Sequence, residues 1–537
     1  MVFIKSFKNQ TWLFPPSIEE LIPEDHVCHL VETFIESLDF SVFDVKYDGA
    51  GHPAYHPRIL LKLLLMGMLD KMRSSRKLAR NARENVVYMY LAEKLTPDFR
   101  TISDFRKNNP DLMKMVFKHT VCLAKKEGML DLTHFATDGT KIKANASSRR
   151  VFTEEELEFL SNFIDEEFEK WAMQDSLEDD FFNEIRGSDQ LPKASKKRIK
   201  SVVKHYIEEL KVKEDGEAFK KILKSKIENA QYEFENNDLK KVSMTDPESR
   251  YMVSKKGNIE LSYNVQITTE SNGLILANDV CDSSSDIYQL QPMVIQTEQN
   301  LEKIPAEIKW SFDKGYYESY NIKFLDDKRI DGYIPSLKKN RENPYDKCNF
   351  SYNKLKDEYV CPEKKSLIFF KEHYDKPKKK IIRKYKGVAC GDCLKQKDCT
   401  KTKDGIRIVK MSPYEEERQV LEDKMQTPEA KEIYNLRRQI VEPVFGDIRE
   451  NKGVMSFLTR SLETVKTEFN LICTANNIRR IHKKGGVCNK GNFRTVFLYG
   501  INIFFISNFQ LSDSLKLSRA CIAFLGLFPL IFIGIMC

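Results

Sequence analysis

The spacing of apolar and polar positions changes several times along the 537-residue chain, and each change marks a different kind of element. Residues 1–130 read as mostly helical. Pro57 precedes an apolar helix with basic edges, Arg58 to Met72, and Ser74 or Ser75 is placed to cap a second, Arg76 to Asn85. A third is expected after Ser103, in Asp104-Phe-Arg-Lys107, with Pro110 ending it or opening the next. His134-Phe-Ala-Thr-Asp138 and Ile142 fit a strand. From Thr153 to about Lys241 the chain is charged and helical, with Leu157, Phe159, Leu160, Phe163 and Ile164 at helical spacing, which predicts an inserted helical hairpin or coiled-coil arm. Strand character returns in Ile259 to Ile267 and Gly273 to Ala277, separated by Ser271-Asn-Gly273, a hairpin signal. A helix (Ile287 to Asn300), strand (Ile308 to Asp313), helix (Tyr317 to Asp327) and strand (Gly332 to Pro335) follow. Antiparallel strands leading into strand–helix alternation describe an α/β fold with a mixed sheet of the ribonuclease H kind, which places ligands at strand ends.

These changes divide the chain as follows: 1–130, a helical N-terminal domain; 131–150 and 245–340, the first part of the sheet core; 151–244, the helical arm; 341–412, a cysteine-rich insert; 413–484, further core helices; and 485–537, an apolar tail. The net charge is only +8, from 87 Lys and Arg against 79 Asp and Glu, but it is unevenly spread. Arg58 to Arg83 holds eight basic residues against Asp70 alone, and Lys376 to Lys386 holds seven with no acid. Such clusters suit a polyanion, because each cation near a phosphate releases condensed counterions; a solvated surface face is the ordinary alternative. The basic-edged N-terminal helices fit a helix-turn-helix-like DNA reader and equally a plain packing domain. The first residues lack a long apolar h-region, so no secretory signal is expected. Twelve scattered Cys do not resemble a disulfide framework, and a reducing cytoplasm is the expected compartment.

Three segments carry candidate chemistry: Phe135-Ala-Thr-Asp-Gly-Thr-Lys141, Trp310-Ser-Phe-Asp-Lys-Gly-Tyr316, and Tyr434 to Arg449. Asp138 and Asp313 each close a strand-like stretch and precede a Gly-containing turn. Glu442 lies in a charged helical segment. Grouped carboxylates repel, so three together are stable when divalent cations neutralise them. An Asp beside a Gly also makes an ordinary turn. Tyr434, Arg438 and Glu442 are four apart and share one helical face, with Arg449 seven further on; a surface ion-pair ladder has the same spacing. Pro443 is expected to kink or restart that helix.

Together the motifs Thr137-Asp-Gly-Thr140, Phe312-Asp-Lys-Gly-Tyr316 and Tyr434-x3-Arg438-x3-Glu442-x6-Arg449 resemble those of DDE transposases of bacterial insertion sequences, in the branch with a Tyr–Arg–Glu–Lys signature around the third acid. Val441-Glu-Pro-Val-Phe-Gly-Asp-Ile-Arg449, Asn476-Asn-Ile-Arg-Arg480 and the stretch from His52-Pro-Ala-Tyr-His-Pro-Arg58 to Thr101-Ile-Ser-Asp-Phe-Arg106 extend the resemblance over roughly residues 10–484. The Tyr-to-Arg spacing is one residue longer than the usual pattern, and Arg449 stands where Lys is usual. The resemblance implies that Asp138, Asp313 and Glu442 bind two Mg²⁺ or Mn²⁺ ions for strand cleavage and strand transfer. It also implies phosphate contacts from Arg438, Arg449, Tyr434 and Lys314. The implied partners are the terminal inverted repeats and target DNA, with a homodimer or larger synaptic assembly bound to the nucleoid and no membrane. A nuclease that cuts without joining, and an inactive DNA-binding derivative, are the rival readings.

Cys361, Cys390, Cys393 and Cys399 form C-x28-C-x2-C-x5-C, enough thiolates for one structural Zn²⁺, against the alternative of unliganded core thiols. With the Lys378 to Lys386 run, this insert reads as a DNA-contacting ribbon. His134 and His482 read as packing or surface residues. After Lys484 the chain turns apolar, and the eighteen residues Ala520 to Cys537 carry no charge, the minimum for a membrane span. Pro529 interrupts them, so an added tail is expected rather than an anchor.

Overall fold

The computed structural model describes residues 17–44, 54–166, 191–212, 216–254, 257–336, 343–375 and 380–485. Contacts divide the chain into a compact unit, 1–487, and a second, 488–537, so the apolar tail lies outside the described residues. Among the described residues no helix is long and apolar enough to cross a membrane.

The N-terminal part is helical, as Val27–Glu36, Pro57–Leu69, Ser75–Glu84, Phe99–Asn108 and Pro110–Lys126. Pro57 and Pro110 each open a helix, where a missing N–H costs nothing. The third expected helix begins earlier than its sequence suggested: Asp98 accepts from the amides of Arg100 and Thr101 at 2.7 and 3.1 Å, so Phe99, not a residue after Ser103, starts it. Lys62, fully buried in the apolar helix, meets Glu36, Glu32 and Glu93 at 2.6, 2.9 and 3.4 Å, so three carboxylates neutralise one interior ammonium.

The strands of the core are β1 (His134–Lys143), β2 (Val151–Phe152), β3 (Val242–Ser243), β4 (Arg250–Val253), β5 (Ile259–Glu270), β6 (Ile275–Cys281), β7 (Lys309–Phe312) and β8 (Asp331–Tyr333). One six-stranded sheet runs β4-β5-β1-β7-β8, with β6 also on β5. β1, β4 and β6 are antiparallel to β5, whereas β7 is parallel to β1 and to β8. This is the mixed α/β sheet that the order of apolar segments called for. The helix Leu462–Gly485 packs on β6, Pro57–Leu69 and Pro110–Lys126, joining sheet and N-terminal helices. Its Asn477 accepts from the Ile275 amide and donates to the Ile275 carbonyl, both at 2.9 Å, and so occupies backbone groups at the sheet margin.

Between β2 and β3, which pair with each other, stand the helices Glu154–Glu166, Lys193–Val212 and Gly216–Asn236. They close a core of their own in which Leu157, Phe159, Leu160, Phe163 and Ile164 are all buried. A second sheet, in the order β13-β12-β11-β10-β9, is built from β9 (Ser351–Asn353), β10 (Glu358–Val360), β11 (Ser366–Asp375), β12 (Lys380–Gly387) and β13 (Ile408–Met411), all antiparallel. The helix Pro428–Gly446 then crosses the first sheet over β1, β5 and β7. It runs through Pro443 without the restart that was one of the two expectations, and gives way only at a π-helical turn, Asp447–Asn451. Its stripe Ile433, Ile440, Val441 and Val444 is buried, so packing of that face outweighs the cost of the proline.

Candidate functional site

Two neighbouring parallel strands bring the first two acids together. Asp138 sits in β1 opposite Ile267, and Asp313 directly follows β7, where it accepts from the Lys314 amide at 2.7 Å. Their charges act on each other: the Asp138 carboxyl is pushed above the usual carboxylate range by burial first, opposed by Arg437, and pushed further by Asp313.

Gly315 lies in a 3₁₀ turn, Lys314–Tyr316, directly after Asp313, as expected, but Gly139 is not a turn residue. β1 continues through Gly139 to Lys143, so Asp138 lies within a strand rather than at its end. A Cβ on Gly139 would fall 2.3 Å from Gln266 Nε2 and 2.9 Å from Asp286 Oδ1; one on Gly315 would fall 3.2 Å from Asp286 Oδ2. Both glycines leave room for one carboxylate, Asp286, which accepts from Asn264 at 2.7 Å and Gln266 at 2.8 Å and pairs with Lys141 at 3.4 Å. Gln266 in turn accepts from the hydroxyl of the fully buried Tyr316. A polar web thus fixes the backbone on either side of the two aspartates. Asp286 was not foreseen; the only local signal is a Ser-Ser-Ser-Asp286 run before a helix, which reads as a cap.

The third segment arrives in a rotated sense. Arg437, not Arg438, faces the sheet: its guanidinium lies 3.1 Å from Asp138 Oδ2, and its side chain is 9% exposed. The two groups touch without the alignment of a hydrogen bond, leaving Arg437 Nε and Nη1 with no hydrogen-bond partner. Tyr434 is half-buried, its ring 5.7 Å from the Arg437 guanidinium, and burial raises its hydroxyl pKa. Arg438 and Glu442 are exposed on the outer side of the helix, and Lys314 is exposed beside Asp313. Among the described residues Asp138, Asp313 and Glu442 do not form a trio with ligand atoms all within 4.8 Å; the only such acidic, His or Cys trio is Glu32, Glu36 and Glu93, which Lys62 fills. Arg449, on the π turn, donates to Thr140 Oγ1, two residues beyond Asp138. The sequence held a signal for Arg437: Tyr434-x2-Arg437 restores the usual spacing that Tyr434-x3-Arg438 exceeds by one.

A divalent cation fits this corner on its chemistry. The donors are hard carboxylate oxygens, the aspartates repel, and the cation now beside Asp138 is a poorly aligned guanidinium. The four cysteines line another cavity, of about 20 Å³, with Tyr345, Gln396 and Arg407. There the Lys365 amide donates to Cys361 Sγ at 3.3 Å, and burial foremost, then the other three thiols, raises the Cys399 pKa.

Residues 360–482 match the family model described as "Transposase DDE domain", and residues 16–108 match "Transposase domain (DUF772)". The first range holds Glu442, Arg437, Arg449 and the cysteines; Asp138 and Asp313 lie between the two ranges. Comparison with curated proteins gave no match. The DDE domain implies a ribonuclease H-like α/β fold and divalent metal ions, which agree with the mixed sheet and its paired aspartates. Both matches, together with that sheet, support a DDE transposase of an insertion sequence, an enzyme that acts on DNA.

Proposed function

We propose that this transposase binds the terminal inverted repeats of its element, cuts the strands there and transfers the freed 3′ ends into target DNA. The observation that carries the reading is the meeting of Asp138 and Asp313 at adjacent parallel strands, under a helix that sets a buried cation on Asp138. Asp138, Asp313 and Glu442 would hold two Mg²⁺ or Mn²⁺ ions, Glu442 coming from the same helix as Arg437. Bound ions lower the pKa of the attacking water or 3′-hydroxyl and stabilise the leaving oxygen. Arg437 takes the phosphate-contact role expected of Arg438, because its unsatisfied N–H groups lie beside the Asp138 carboxylate that would hold the metal. Arg449 stands over Thr140 on the same face of β1, and Tyr434 and Lys314 border the two aspartates. Arg438, exposed on the outer side, is left for a more distant phosphate.

In the same reading 1–130 is a DNA-binding domain, 151–244 a helical arm, and 341–412 an insert in which Cys361, Cys390, Cys393 and Cys399 hold one structural Zn²⁺. The shared cavity and the amide donated to Cys361 favour the zinc, since metal-bound thiolates accept such bonds, and the ion would draw together thiols of which no three now lie within 4.8 Å of one another. A dimer or larger assembly would present two element ends to two such sites.

The test is Mg²⁺-dependent cleavage and strand transfer on DNA carrying the element's own ends, with Asp138→Asn, Asp313→Asn and Glu442→Gln. Loss of both steps in all three, with end binding kept, supports the trio. Activity surviving in one removes that residue. Cutting without joining favours a nuclease, and binding without cutting favours an inactive derivative, a reading that the exposed Glu442 would then explain.

A further inference from the structure

In the long hairpin of the second sheet, β12 has buried positions along its length, whereas β11 is open to solvent over most of its own. β10 pairs with β11 only at Ser366 to Ile368, and β13 with β12 only at Arg383 to Lys386. Beyond these, His373 to Asp375 pair in the sheet with Lys380 to Ile382 of β12. Ile368 to Tyr374 are all exposed, Phe370 and Tyr374 at 50% and 55%. Large aromatics so placed on a two-stranded ribbon would be an aggregation hazard without a partner.

Charge decides which partner. Residues 366–387 carry a net +6 of the whole chain's +8. The register slips between Phe369 and Lys371, so Phe370 bulges from the ladder, and its ring lies 5.4 Å from both Lys371 Nζ and Lys386 Nζ. Lys384 lies opposite Lys371 across the ribbon. An aromatic ring flanked by ammonium groups suits nucleic acid, which offers base faces and phosphates together. The B-DNA major groove also admits a two-stranded ribbon. Position relates this surface to the catalytic corner. Lys380 and Glu318, both nearly buried, pair at 2.7 Å, and Glu318 follows Asp313 by five residues. The ribbon is therefore tied to the segment that carries the second aspartate.

We propose that the β11–β12 ribbon binds duplex DNA beside the cut site, Lys371, Lys384 and Lys386 contacting phosphates and Phe370 wedging against bases. The proposal rests on the transposase reading for its choice of DNA, but not on the identity of the metal-binding acids.

Full-length protein is titrated with a fluorescent duplex carrying an element end across a KCl series, with Lys371→Gln/Lys384→Gln/Lys386→Gln together and Phe370→Ala alone. Circular dichroism checks that both variants fold. Each lost phosphate contact should flatten the plot of log K against log[salt] by about 0.9, so the triple variant should lose about 2.7 of slope and at least tenfold in affinity. Phe370→Ala should lose about fivefold or more with the slope unchanged. Cleavage at saturating DNA should persist in both. Wild-type slope and affinity in the triple variant overturn the ribbon while leaving the catalytic reading intact. A changed sedimentation coefficient with unchanged DNA binding overturns it in favour of contact with a second copy. Conversely, if Asp138→Asn cuts DNA normally while the ribbon variants bind poorly, the catalytic assignment falls and the ribbon stands.

Discussion

Asp138→Asn should not weaken the metal-free protein, although it removes a buried ion-pair partner. The gross attraction between Asp138 and Arg437 at 3.1 Å is about 5 kcal/mol for an effective dielectric near 20. Yet the Asp138 pKa is raised with Arg437 in place, so burial and the charge of Asp313 together outweigh that attraction. A carboxyl whose folded pKa is raised favours the protonated fold; the stability this gives is present at low pH and is lost as pH rises through the folded value. Above the unfolded value the carboxyl therefore costs the fold relative to its protonated form, and an uncharged amide of the same shape relieves it. We expect Asp138→Asn to be neutral or to gain about 1 kcal/mol in EDTA. Arg437→Met removes only the compensating cation and should lose about 3 kcal/mol, as breaking one side of a buried pair does. Mg²⁺ should invert the ranking: at a hundredfold over its Kd a bound ion adds about 2.7 kcal/mol to wild type, and little of this should remain in Asp138→Asn. Urea unfolding followed by circular dichroism, in EDTA and in Mg²⁺, measures all three proteins. A loss beyond about 2 kcal/mol for Asp138→Asn in EDTA, or a Mg²⁺ gain equal to wild type's, would refute the reasoning.

Gly139→Ala should cost about 1–3 kcal/mol and lower cleavage, because its Cβ would meet Gln266 Nε2 at 2.3 Å in a web anchored by Asp286 and Tyr316; urea midpoints and turnover on end DNA read both effects. Lys62→Met should cost about 3 kcal/mol by the same unfolding assay, the low end for a buried pair, because Glu36 and Glu93 keep access to water. His134 stays neutral at pH 7, since burial foremost and then Lys309 lower its pKa from 6.5 to about 4, with Ser311 Oγ 2.8 Å from Nε2. A depressed folded pKa gives stability that is whole above pH 6.5 and is lost as pH falls through 4. The span is worth at most about 3 kcal/mol, and His134→Gln should flatten stability over that window.

Much of the core was legible because it depends on local pattern. The segments holding Asp138 and Asp313, the hairpin of β5 and β6, and the helical stretch between β2 and β3 all followed from the period of apolar residues. What failed was decided by contacts far away in the chain. Asp138-Gly139 reads as a turn in isolation, but β5, more than a hundred residues later, pairs with both residues and holds the strand straight. The glycine is required by a neighbour, Gln266 with Asp286 behind it, that no local pattern reveals.

The helix Pro428–Gly446 shows the same division more sharply. Spacing of four selected Tyr434, Arg438 and Glu442 as one face, which is correct as helical geometry but silent on which face meets the sheet. The apolar residues answer that: Ile433, Ile440, Val441 and Val444 are buried, and Arg437 falls among them. A guanidinium inside an apolar stripe is stable only against fixed negative charge, because water cannot reach it there. Its presence alone implies a carboxylate on the surface beneath, and β1 supplies Asp138. Glu442, outside the stripe, bears no such constraint and is exposed. In a helix covering a sheet, the charged residue that interrupts the buried stripe therefore marks the face that meets the sheet, which the charges sharing the solvent face do not.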